Sequence, residues 1–147
     1  MKRILLPVLM MVTALTINAQ NKNEMDNQKI ETLITAYAAA LDNSNTEAAE
    51  KFLDPEFRVV LHNYNNSGTT TILPKAQYLE MIRNGKAGGN KRTVSFSLID
   101  VHGNAAIVKV KLEGEKTVFT NYYSLIKKQD DWMIVNDIPQ IVSKSPN

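Results

Sequence analysis

The stretch TNYYSLIKKQDDWMIVND, residues 120–137, carries the reading of the fold. Phe119, Asn121, Tyr123 and Leu125 share one parity, and Trp132, Ile134, Asn136 and Ile138 share the other. Alternation at period two marks each row as one face of a strand. An even loop, either Gln129-Asp130 alone or the four residues 128–131, sets Leu125 opposite Ile134 and Tyr123 opposite Asn136. A three-residue loop would put Leu125 against polar or wrongly facing partners, so matching faces select the even loop. No glycine is present to supply a tight turn, which favours the four-residue form. In that register Asn121 lies one diagonal step from Asn136, on a face that also carries Tyr123 and Trp132. An unpaired buried amide costs about 1–3 kcal/mol. The two carboxamides therefore either satisfy each other and nearby backbone, or face a cavity holding water or ligand.

Upstream of this hairpin the period shows what packs against it. Ile30, Leu33, Ile34, Tyr37 and Leu41 recur at steps of three and four, one face of a helix. Ser44 and Glu47 have capping-box spacing and open a short second helix through TEAAEKFL, closed at Asp54-Pro55. From Phe57 the period is two, with Phe57, Val59 and Leu61 on one face; NNSG at 65–68 turns the chain into the short strand TTTIL. Pro74 starts a third helix, KAQYLEMIRN, and Gly85 stops it. Val94, Phe96 and Leu98 share a parity that Ile99 and Val101 then reverse, the mark of a bulge that bends the sheet. Ala106, Val108, Val110 and Leu112 form a further inward row, and strands over about 117–127 and 132–142 complete the chain. Helices first and a bent antiparallel sheet after is an α+β layout.

Residues 1–19 read as a signal peptide: Lys2 and Arg3, an apolar run from Ile4 to Ile17, then Ala19. The run is short for a bilayer span. Removing Lys2 and Arg3 takes the 17 basic residues to 15, equal to the 15 acidic ones. A neutral mature domain gives no electrostatic reason to expect nucleic acid or an anionic membrane as partner. Cysteine is absent, which excludes disulfides, thiolate metal sites and a cysteine nucleophile. The expected organisation is a flexible polar lead-in at 20–27, one domain over 28–142 and a tail at 143–147. The expected location is the bacterial periplasm or the extracellular medium.

ITAYAAALDNSNTEAAEKFLDPEFRV (residues 34–59) resembles the opening of the nuclear transport factor 2-like superfamily, which includes ketosteroid isomerases and polyketide cyclases. FTNYYSLIKKQDDWMIVND (residues 119–137) is similar to its closing hairpin, and within the superfamily the exported bacterial group called putative lumazine-binding proteins is nearest. The resemblance covers about residues 28–142. It implies a cone, a strongly curved antiparallel sheet wrapped on three N-terminal helices, with a pocket in the mouth and often a homodimer through the outer sheet face. It also places Tyr37 where the isomerases have a helix-one tyrosine, and Asn121 near their protonated carboxylic acid. Those enzymes use a carboxylate base on the first long strand, where this chain has Val60, Leu61 and His62.

Proton abstraction by that route needs an acid that is missing here. His62 and Asp100 are minor candidates for a substitute base, although His62 has the outward parity of its strand. Two histidines forty residues apart have no ligand spacing, so neither a metal nor a cofactor is expected. The leading expectation is a non-catalytic module that binds an apolar or heteroaromatic molecule through Tyr37, Asn121, Tyr123, Trp132 and Asn136. Isomerase or cyclase chemistry, with Tyr37 and Asn121 as donors, and a purely structural dimerisation module are the alternatives.

Overall fold

The apolar stripe at 30, 34, 37 and 41 forms one face of a long helix, α1 (Pro7–Asp42), and its four side chains are essentially removed from water. The structure is a computed structural model that describes residues 7–144, with side chains from Lys22 onward. α2 (Thr46–Glu50) follows, capped by Asn45, whose side chain accepts from the Ala48 amide. The cap is thus one residue later than the Ser44 of the expected capping box; Ser44 instead takes a left-handed φ of 52° that turns the chain out of α1. Then come β1 (Leu53–His62), β2 (Thr70–Pro74) and α3 (Lys75–Arg83). The chain ends with β3 (Thr93–His102), β4 (Ala105–Glu113), β5 (Thr117–Lys128) and β6 (Asp131–Ser143).

The six strands make one open sheet in the order β2-β1-β6-β5-β4-β3. Every neighbouring pair is antiparallel except β1 and β6, which run parallel, so the sheet is mixed. The expected α+β cone with helices on one face is present. Ala106, Val108, Val110 and Leu112 of β4 are buried and belong to one core with Ile30, Ile34, Tyr37 and Leu41 of α1. Each such Val, Leu or Ile side chain contributes about 1.5–3 kcal/mol by leaving water.

Two bulges bend this sheet. In β3, Phe96 pairs with Val110 but Leu98 pairs with Lys109, so Ser97 is the extra residue and Leu98 turns outward. The parity reversal in the sequence marks this bend. In β6, Leu125 pairs with Ile134 as expected, but Ser124 pairs with Asn136, which makes Val135 the extra residue. Beyond it every side chain changes face, because strand side chains alternate strictly. The loop joining β5 to β6 is the two-residue Gln129-Asp130 rather than the expected four, and Gln129 adopts φ 57° in place of a glycine.

Residues 20–27 are helical and continuous with α1, where composition alone suggests a flexible lead-in. Asp26 explains the difference. It is buried and accepts hydrogen bonds from Lys127 Nζ at 2.7 Å and from Trp132 Nε1 at 3.1 Å, so the helix is docked on the β5–β6 hairpin. The side chains of the expected signal segment, and residues 145–147 of the tail, lie outside the described residues. Within the described residues no helix is long and apolar enough to cross a membrane.

Candidate functional site

The concave side of the sheet, α3 and the loop after it enclose a cavity of about 780 Å³. Its deep end is made by buried residues of three strands: Val59 of β1, Leu112 of β4, and Asn121 and Tyr123 of β5. Tyr78 and Met81 of α3 line it from the helical side, and Phe119 and Arg92 continue the wall. Exposed residues form the mouth, among them His62, Tyr64, Asn66 and Lys86.

Asp137 of β6 also lies at the deep end, and it is the residue that the sequence reading missed. The bulge at Val135 turns Asp137 inward, opposite Tyr123, and puts Asn136 on the outer face beside Ser124 and Arg58. The expected pair of carboxamides is therefore an amide and a carboxyl. Asn121 Nδ2 donates to both Asp137 oxygens, at 2.8 and 2.9 Å. Asn121 Oδ1 is buried and has no hydrogen-bond partner among the described residues. Pro139, opposite Asn121, was the one local hint of irregularity, since a proline within a strand marks an edge or a bulge.

Burial pushes the Asp137 carboxyl up to about 7, against the opposing effects of the Asn121 hydrogen bond and the Arg92 guanidinium. The carboxylate loses more by leaving water than these two neighbours return. Arg92 is itself committed elsewhere. Its Nε donates to Asp42 Oδ1 at 2.6 Å, its backbone amide donates to Asp42 Oδ2 at 3.0 Å, and its guanidinium lies 5.1 Å from the Phe119 ring centroid. Burial raises the Tyr78 phenol to about 12 and the Tyr123 phenol well above the usual range, so both remain neutral hydroxyls.

The other expected residues divide by position. Tyr37 sits in the core behind the cavity wall, its ring edge-on to Tyr123 at 6.2 Å and to Phe52 at 6.3 Å. Its hydroxyl is buried without a partner among the described residues. Trp132 is near the other end of the inner sheet face; it anchors Asp26 and borders a separate surface depression with Met25, Leu33 and Phe52. Only Asn121 and Tyr123 of the five expected ligand contacts line the main cavity. His62 is at the mouth, exposed, with Nδ1 2.8 Å from Thr70 Oγ1. Asp100 is exposed on β3, paired across from the outward Ile107. Among the described residues no cluster of three or more metal-ligating side chains occurs.

Known proteins agree with this architecture. An NTF2-like protein of unknown function from Silicibacter pomeroyi has 17% identity, with 82% of this chain and 98% of that one covered at a TM-score of 0.71. One from Shewanella baltica has 16% identity, 80% and 94% coverage, and a TM-score of 0.71. A DUF4783 family protein from Bacteroides uniformis has 12% identity, 75% and 97% coverage, and a TM-score of 0.55. At such identities the likeness speaks for the fold. No curated protein matches the chain. The family model described as "Putative lumazine-binding" matches residues 25–138, which include Asn121, Tyr123 and Asp137 at the deep end of the cavity, and the chain therefore belongs to that family, with an NTF2-like fold.

Proposed function

We propose that this protein is an exported, non-catalytic module that binds an apolar or heteroaromatic small molecule in the cone. The observation that carries this reading is the cavity of about 780 Å³, with Val59, Leu112, Phe119, Tyr78 and Tyr123 in its walls, the buried polar pair Asn121 and Asp137 at its deep end and a polar mouth that includes His62, Asn66 and Lys86. Pockets of a few hundred to about 1,000 Å³ with few convergent polar groups suit a small organic ligand. The family description supports a ring of the lumazine type as the first molecule to try. Lys2, Arg3, the apolar run after them and Ala19 support export to the periplasm or medium. Leu98, Ile107, Tyr122 and Ile138, all exposed on the convex sheet face, support a homodimer formed there by a second copy. Native mass spectrometry of the protein purified from its own host tests the whole reading. A subunit mass short of the first nineteen residues, a retained small molecule and a dimer are expected. Intact protein with no retained mass, and no thermal shift with added lumazine, counts against it.

One observation favours a second reading, an isomerase- or cyclase-like enzyme: a cavity carboxyl that titrates near neutrality suits proton transfer. Asp137 would be the base in that case. His62 is at the rim, Asp100 is outside the cavity, and Tyr37 is behind its wall. Absence of turnover on keto-steroid and polyketide surrogates by the parent protein removes this reading.

A further inference from the structure

Arg92 lines the cavity with a side chain only 6% exposed. Asp42 engages one edge of its guanidinium. Nε donates to Asp42 Oδ1 at 2.6 Å, while Nη2, equally close to that oxygen but not directed at it, is a buried donor with no hydrogen-bond partner among the described residues. A guanidinium is a planar fork of N–H donors, so this leaves part of the fork unused. Tyr78 and Tyr123, both neutral phenols, line the same space. Asp137, held mostly protonated below about pH 7 by burial, offers an O–H as well. Against these donors stands one unpaired buried acceptor, Asn121 Oδ1. β5 sets the groups in a row. Phe119, Asn121 and Tyr123 are successive inward residues, about 6.7 Å apart along the strand. The Arg92 guanidinium lies over Phe119, and Asp137 pairs with Tyr123 and bonds to Asn121. The Arg92 charge lowers the ionisation of Tyr78, Tyr123 and Asp137 alike, so all four groups act on one small volume. The rest of the lining agrees in sign: Arg92 and Lys86 are its cations, and Asp137 is its one carboxyl among the described residues.

We propose that this end of the cavity takes the carboxylate of an aromatic acid, held by the unused N–H groups of Arg92 and by the hydroxyls of Tyr78, Tyr123 and protonated Asp137, with the ring against Val59 and Leu112. This rests on the small-molecule reading above and gives the ligand a charge and a functional group. A buried donor left unpaired is costly, and a carboxylate satisfies several at once through charge-assisted hydrogen bonds, the stronger kind. A carboxamide of the same shape has one acceptor oxygen fewer, brings a further donor and carries no charge. Protonation of Asp137 belongs to the arrangement, because two carboxylates sharing the site would repel. The groups facing Asp137 are Tyr123 of β5, Tyr78 of α3, Tyr37 of α1 and the Arg92 guanidinium, and the Tyr37 and Tyr123 phenols are raised still further than that of Tyr78, so Asp137 is the one among them that titrates near neutrality.

Calorimetric titration of the purified protein with 2-naphthoate and 2-naphthamide, two probes of one shape, tests the proposal, with lumazine as a neutral probe of the cavity itself. At pH 6 the carboxylate is expected to bind about tenfold tighter than the amide or more, the value of a hydrogen bond to a charged group. Between pH 6 and 8 that preference should fall about tenfold, following the neutral fraction of a group that titrates at about 7. His62 at the mouth is of a type that titrates in the same window, and Asp137→Asn, which leaves it in place, should make the preference flat. In Arg92→Gln the preference at pH 6 should collapse to about twofold. Equal binding of the two naphthyl probes at pH 6, or binding of lumazine alone, overturns the inference while leaving the cavity a binding site. No measurable binding of any of the three overturns both. A preference that survives in Arg92→Gln protein with a normal melting transition overturns the assignment to Arg92. If that variant does not fold, the parent decides: a preference unchanged from pH 6 to 8 overturns the inference, and a decline that persists in Asp137→Asn removes Asp137 from the site.

Discussion

At the scale of single residues, Asp137 decides the character of the site. Its carboxyl titrates near 7 when folded and near 3.8 otherwise, so the folded state holds a proton that the unfolded state has released. Between those values unfolding releases a proton, and stability must fall as the pH rises, then level off above about 7. The full effect of such a shift is about 4 kcal/mol at most. Asp137→Asn has no charge to desolvate, so its stability should be flat from about pH 5 to 7 and exceed the parent's at pH 8. Urea unfolding at pH 5, 6, 7 and 8 measures this, and a parent protein with no decline from pH 5 to 7 would refute the buried carboxyl. Pro139 was the one warning nearby. Asn136 and Asp137 are adjacent polar residues, and alternation from Trp132 and Ile134 points to the first of them.

At the scale of elements, the joints between helix and sheet matter most. Gly88, in the loop from α3 to β3, has φ +80°, and a Cβ there would lie 2.5 Å from the Leu41 carbonyl oxygen at the end of α1. The next residue closes the joint, Gly89 N donating to that same Leu41 oxygen at 2.9 Å. Gly88→Ala therefore meets backbone as well as an unfavourable dihedral. It should cost about 2–3 kcal/mol, against about 1 kcal/mol for Gly68→Ala, where φ is also positive but the space is open. Thermal melts of the two variants side by side make the comparison, and equal losses would show that the close approach is not present. The helices themselves were legible from their apolar spacing. The Asn45 cap and the docking of residues 20–27 were not, because each depends on where the chain turns in space.

At the scale of the whole molecule, charge pairs tie distant parts of the chain together. Asp26 and Asp54 are both buried carboxyls. Burial raises them, but Lys127 and Trp132 outweigh it for Asp26, and Lys128 and the Glu56 amide for Asp54, leaving both below the usual range. Their contribution is present above the ordinary carboxylate range and lost as pH falls through it, the opposite sense to Asp137. The stability profile should thus rise from acid to about pH 4–5 and decline towards 7. The Asp26–Lys127 pair is nearly enclosed at both ends, whereas Lys128 beside Asp54 is more than half exposed and contributes less. Asp26→Asn should cost about 3 kcal/mol at pH 6 by leaving Lys127 buried without its partner. It should also shrink the acid branch of the profile, as chemical unfolding across pH 2–6 would show; an unchanged acid branch would mean that α1 is not held there.

Local pattern alone determined the class of the fold, the inward rows of β4 and β5, the bend in β3 and two cavity residues, Asn121 and Tyr123. Such features repeat every two or three to four residues, so they are written in neighbouring positions. Only the folded chain decided that β1 lies parallel to β6, that Trp132 donates to Asp26 of α1 away from the main cavity, and that Asp137 replaces Asn136 on the inner face. A bulge changes facing by one residue without altering composition. Its place in β6 reflects two strand pairings at once, to β5 on one side and to β1 on the other, and Leu53 lies 81 residues away from the Ile134 it meets.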